Sequence, residues 1–328
     1  MAARALARWR THEEQFKHHL LRMTGALWMF HHDDPFIAAS SQALRAHGLA
    51  LDELELNEAR RRYPQIAFSG IERVLFEPDA GVLLARRACE HVASRLVAEG
   101  GTYEVAAAVH PLDPDGPVRT VPLADGSHVT GDAFVFACGP WLGSMFPDVI
   151  GDLVSVTRQE VYYFGTPPGD ASFSAERFPV WLEFGDRFIY GIPETRDWGA
   201  TTGFKVADDT PGPAMDPTTD PRVPTERGIR EMRAFISRRF PSLEGAPLVR
   251  SEVCQYESTP DSNFIVDRHP RAPNVWLVGG GSGHGFKMGP AIGERVASLV
   301  LGDSPVDPAF ALERLSQRPS SGWKPKWA

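Results

Sequence analysis

The chain has 328 residues, 42% apolar and 23% charged, which is material for one large domain or two with a sizeable core. Its 34 basic and 42 acidic side chains leave a net charge of -8, which argues against nucleic acid as a main partner. Three scattered cysteines, Cys89, Cys138 and Cys254, exclude a disulfide framework and zinc-site spacing. No apolar run reaches the ~18 residues of a membrane span, so the expectation is a cytoplasmic chain with no resident metal and no membrane partner.

The Arg-rich start, "MAARALARWR", imitates an organellar presequence but runs on into an ordinary helical pattern. Leu6, Trp9, Phe16, Leu20 and Leu21 predict a helix over 2–22. "TGALWMF" reads as a strand, 35–48 as a helix, and "GIERVLFEPDAGVL" as a strand and a turn on Pro78, Asp79 and Gly81. Leu84, Ala88, Val92 and Leu96 predict a helix over 82–99. Residues 102–138 read as strand throughout: "TYEVAAAV", a hairpin at Asp125-Gly126, and the continuous apolar run "AFVFACG". Four more strands follow over 151–206, then a Pro- and Asp-rich loop and a helix from Thr225 with Ile229, Met232, Phe235 and Ile236 inward. The tail "SSGWKPKW" reads as loose. The fold class is α/β in the α+β sense. A Rossmann-like domain, incomplete at its N-terminus, is interrupted by a mostly antiparallel β substrate domain. The boundaries are 1–24, 82–149 and 254–328 for the first, and 25–81 and 150–253 for the second.

"NVWLVGGGSGHGFKMGPAIGERVASLVLG" carries an apolar strand into five glycines within seven residues, then a lone lysine, then a helix. It is not a dinucleotide fingerprint, because the third glycine position falls on His284, Phe286 or Met288. It is not a P-loop either. Glycine lets backbone approach a flat ligand, and a helix N-terminus with Lys287 favours partial negative charge. A tight turn with a surface lysine is the other reading of the same residues.

The segment around the loop narrows the choice. Cys254, Tyr256, Thr259, Pro260, Asp261, Phe264, Ile265 and Asp267, followed by Ser282 to Lys287, resemble the run C-x-Y-x-x-T-P-D-x-x-F-I-I-D then S-G-H-G-F-K. That run belongs to the monomeric sarcosine oxidase and N-methyltryptophan oxidase group of the D-amino-acid-oxidase-like flavoenzymes. Weaker likenesses extend over nearly the whole chain.

The resemblance implies an FAD-dependent oxidoreductase acting on the C–N bond of an amino acid or secondary amine, reducing dioxygen to hydrogen peroxide. It implies FAD held covalently through Cys254. Gly281, Gly283, His284, Gly285 and Phe286 would wall the flavin, and Lys287 would bind the substrate carboxylate. It places Tyr190 and Tyr256 in the pocket and Lys205 beside the flavin, serving dioxygen.

Three departures accompany it. The family's opening G-x-G-x-x-G unit does not occur in residues 1–70. Its strand is expected beside 275–279, leaving that strand with an open edge and FAD binding weakened. Asp209 stands where the family often has histidine, and Gly280 where it has a bulkier residue. The alternative is a truncated or degenerate relative without flavin, acting as a binding protein or completed by a missing segment or partner.

Overall fold

The computed structural model describes residues 1–195 and 203–316. In chain order it forms α1 (Ala2–Phe16), β1 (Leu21–Arg22), β2 (Ala26–Phe30), α2 (Pro35–Ala46), β3 (Asp52–Leu54), α3 (Leu56–Arg62), β4 (Arg73–Glu77), β5 (Val82–Leu83) and α4 (Ala85–Ala98). There follow β6 (Thr120–Pro122), β7 (His128–Thr130), β8 (Phe134–Phe136), α5 (Leu142–Met145), β9 (Ser155–Phe164), β10 (Val180–Phe184), β11 (Phe188–Ile192) and β12 (Phe204–Asp208). The chain closes with α6 (Glu226–Arg239), β13 (Leu248–Ser258), β14 (Ile265–Arg268), β15 (Val275–Gly279), α7 (Gly285–Val300) and α8 (Glu313–Ser316).

Local chemistry accounts for the boundaries. The first helix stops at Phe16, short of the predicted 22, because Lys17 turns left-handed at φ 54°. Glu13 then accepts the Leu20 and Leu21 N–H groups at 2.7 and 2.9 Å and leads the chain into β1. Asp34 caps α2 through Phe36 N, with Pro35 in the first turn, and Thr225 caps α6 through Gly228 N. The hairpin at Asp125-Gly126 forms as read, β6 against β7, with the Asp125 carboxylate accepting the Ser127 N–H. "TYEVAAAV" is not a strand: it makes one bridge, Ala108 to Leu123, and Val105 is 93% exposed, so its β propensity has no buried face to serve. The stretch "GATT" at 199–202 and the tail from 317 lie outside the described residues.

Eight strands form one mixed sheet in the order β13-β9-β12-β11-β10-β2-β4-β3. α3 and α6 cover one face, where Trp181, Phe204, Phe235 and Phe240 stack and tilt against one another at centroid distances of 4.9–6.0 Å. Arg239, 1% exposed, ties α6 to this sheet through a bidentate pair with buried Glu183. A second, three-stranded sheet runs β14-β15-β8. The expected open edge beside 275–279 is not there: β15 pairs on both sides, antiparallel with β14 and parallel with β8. The apolar edge is β8, where Val135 is 46% exposed. A domain boundary at 253/254 would pass through the middle of β13, which pairs with β9 from Leu248 to Ser258.

Candidate functional site

Strand register assigns the faces. Glu77 pairs with Ala26, Ala26 with Val180, Tyr190 with Ala207, Lys205 with Tyr163, and Cys254 and Tyr256 with Gln159 and Thr157. Side chains alternate along a strand. Glu77, Tyr190, Lys205, Tyr163, Cys254 and Tyr256 therefore share the face opposite the aromatic core, although they lie on five strands and span 180 residues of sequence.

The glycine loop crosses this face. Ser282 N donates to Glu257 O at 2.8 Å and Gly281 N to Glu257 Oε1 at 3.2 Å, so the loop straddles β13. Gly283, at φ +78°, lies so close to Tyr256 that a Cβ there would stand 2.4 Å from its ring. Gly280, also left-handed, abuts Thr259. The motif around it acts as stitching. Thr259 Oγ1 donates to Asn263 O at 2.7 Å, Asp261 pairs with Arg314, and Asp267 accepts Leu312 N at 2.7 Å.

α7 begins at Gly285 with His284 in the cap position and no side-chain cap, leaving its first N–H groups open toward the loop. His284 Nδ1 lies 3.1 Å from Ser282 O, and its ring packs edge-on against Phe264. Phe286 stacks on Trp9 of α1 at 5.9 Å, and Trp9 Nε1 donates to Lys287 O at 2.9 Å. The first helix thus braces the turn that carries Lys287, a role the sequence motif gives no sign of.

The charges around the site are coupled. Burial works against the Lys205 ammonium, but Tyr190, Tyr163 and Cys254 outweigh it and raise its pKa above the usual lysine value. Its Nζ sits 3.4 Å from Tyr190 Oη and 5.1 Å from that ring's centroid. Burial pushes the Cys254 thiol up, with Lys205 pulling the other way. Lys287 is reached by water, yet the protein around it lowers its pKa, opposed by Asp209 and Glu77. Tyr256 Oη donates to Asp209 Oδ1 at 2.6 Å. Burial raises the Asp209 pKa, with the Tyr256 hydroxyl and Lys287 resisting. It raises Glu77 too, with Asp79 adding and Lys287 opposing. Glu77 lies in "GIERVLFEPDAGVL" and Tyr163 in a predicted strand, but nothing in the sequence assigns either to the site; the alternation of β4 and β9 against their neighbours brings them to this face.

The family model described as FAD dependent oxidoreductase matches residues 1–299. A monomeric sarcosine oxidase of Bacillus sp. (strain B-0618) is 28% identical over 92% of this chain and 77% of its own length. The peroxisomal sarcosine oxidase of Homo sapiens is 28% identical over 96% and 80%. An N-methyl-L-tryptophan oxidase of Salmonella heidelberg (strain SL476) is 27% identical over 87% and 75%. Among solved structures, the L-proline dehydrogenase from P. horikoshii superposes with a TM-score of 0.78 at 20% identity, covering 96% of this chain and 82% of that one.

Proposed function

Because the chain belongs to the FAD dependent oxidoreductase family, we propose that it oxidises the C–N bond of an amino acid or secondary amine and passes the electrons to dioxygen, giving hydrogen peroxide. The observation that carries this reading is the convergence of Cys254, Tyr256, Tyr190 and Lys205 on one sheet face, under a glycine loop that delivers Lys287.

The residues present fit a flavin. The backbone from Gly279 to Gly285 is nearly free of side chains, the α7 N–H groups are uncapped, and a thiol lies on the same face. Cys254 Sγ would tether the ring covalently, and the open N–H groups with Lys287 would hold its electron-rich edge. When bound, FAD supplies the two-electron acceptor that this chain's side chains lack. Lys287 Nζ pairs with the substrate carboxylate and fixes which carbon lies over the loop. Tyr190 and Tyr256 flank the substrate and keep water from it. Lys205 holds a positive charge in a poorly hydrated setting, where it stabilises negative charge developing on dioxygen. Residues 1–24, 82–149 and 254–328 would serve the cofactor and 25–81 and 150–253 the substrate, with β13 common to both. His284 and Phe286 support the loop from its far side.

Acid precipitation of protein purified in the presence of FAD tests the tether. Flavin is expected to stay in the pellet for the wild type and to pass to the supernatant for Cys254→Ala. Flavin retained in the pellet of that variant would refute the assignment.

A further inference from the structure

Given that amine-oxidising reading, we propose that Asp209 is the specificity-determining acceptor for the substrate nitrogen, selecting ligands that carry an ammonium over carboxylates of the same shape. Asp209 follows β12 directly, and its N–H donates to Phe188 O at 2.8 Å, so the turn that presents it is pinned to β11. Oδ1 is held by Tyr256 at 2.6 Å, while Oδ2 accepts from no described residue. The Tyr256 bond fixes the half-buried carboxylate and leaves its second oxygen without a partner among the described residues.

The charge balance points the same way. The groups acting on Asp209 are Tyr256 on β13, Lys287 on α7, and Lys205 and Asp208 on β12; Glu77 on β4 acts on Lys287 in turn. Asp208 is paired with Arg187, which leaves two lysines against the carboxylates of Asp209 and Glu77, so the cluster without substrate is close to neutral. A simple anion entering it meets Lys287 already compensated and Asp209 repelling. A zwitterion meets one partner for each end: Lys287 for the carboxylate, Asp209 for the ammonium. Partly buried charges of this kind discriminate strongly, because the wrong ligand leaves one of them unpaired.

Two measurements on the FAD-supplied protein separate the possibilities. Anaerobic stopped flow gives the sarcosine dissociation constant from the concentration dependence of flavin reduction, and spectral titration of the flavin gives that of methoxyacetate, its isostere with oxygen for nitrogen. Asp209→Asn keeps a hydrogen-bond partner for Tyr256. It is expected to weaken sarcosine about tenfold or more and to tighten methoxyacetate several-fold. Changes in opposite directions are what a merely structural role would not give. If both ligands weaken together, both tighten together, or neither moves, the assignment of Asp209 is overturned while amine oxidation stands. Should Asp209→Asn fail to fold, Tyr256→Phe, which frees the carboxylate, is expected to shift the sarcosine-to-methoxyacetate preference; an unchanged preference overturns the assignment. If neither ligand binds the wild type, or Lys287→Met leaves both affinities intact, the underlying reading of the site fails, and the role of Asp209 with it.

Discussion

Around β12, the two faces of the eight-stranded sheet are made by the same strands and differ sharply in chemistry. Phe204 and Val206 of β12 lie buried among aromatic rings under α6, while Lys205 between them faces Tyr190, Tyr163 and the Cys254 thiol. Tyr162 and Tyr163 divide in the same way: Tyr162 joins the aromatic core, and Tyr163 faces Lys205. One face around β12 is packed under α6 and the other carries the ionisable groups; toward β4 that second face is packed too, where Trp28, Phe30 and Leu75 meet Phe36 and Ile37 of α2. Substitutions at adjacent positions should therefore have unlike consequences.

Phe204→Ala opens a cavity in the packed face and should cost about 3–5 kcal/mol by chemical denaturation, with flavin retention per folded molecule unchanged. Lys205→Met, one residue on, should alter stability by less than about 1 kcal/mol yet slow flavin reoxidation by dioxygen on the order of a hundredfold, with flavin reduction little affected. Stopped-flow traces showing both half-reactions slowed alike would remove Lys205 from the dioxygen step.

The division between faces breaks down at Glu257. By register it belongs with the core side of β13, yet it carries a carboxylate whose Oε2 is buried without a partner among the described residues and whose Oε1 accepts from the glycine-loop backbone. Burial raises its pKa. A carboxyl raised in the native state favours folding below its unfolded pKa, and that contribution is lost as pH rises through the native value. At neutral pH this carboxyl therefore costs stability relative to an uncharged side chain of its shape. Glu257→Gln should raise stability by about 1 kcal/mol near pH 7, and the gain should vanish below about pH 4. A gain that persists in acid would mean that packing, not charge, is its source.

Patterns local in sequence were legible before the structure. The helices over 35–48 and from Thr225, the Asp125-Gly126 hairpin and the strand–glycine–helix unit all follow from residues within a few positions of one another. The cysteine, the tyrosines and the two lysines could be read only as members of a motif. What escaped depends on pairing across long separations. Trp9 braces a loop 278 residues away, Asp209 meets Tyr256 across 47 residues, and Glu77 reaches the site only through the ladder β4-β2-β10-β11. Periodicity reports that a residue faces one side of a strand, and says nothing of which strand lies beside it. The misplaced sheet edge has the same origin: nothing local in "AFVFACG" or "VWLVGG" states which of the two is the outer strand.

The most direct test of amine oxidation on this sheet face is anaerobic addition of sarcosine, and of other N-methyl amino acids, to the FAD-supplied protein while the visible flavin absorbance is followed. Bleaching by one of them in the wild type, requiring about a hundredfold more substrate in Lys287→Met, is the expected result. Flavin that stays oxidised with every such amino acid, or bleaching indifferent to Lys287, would contradict it.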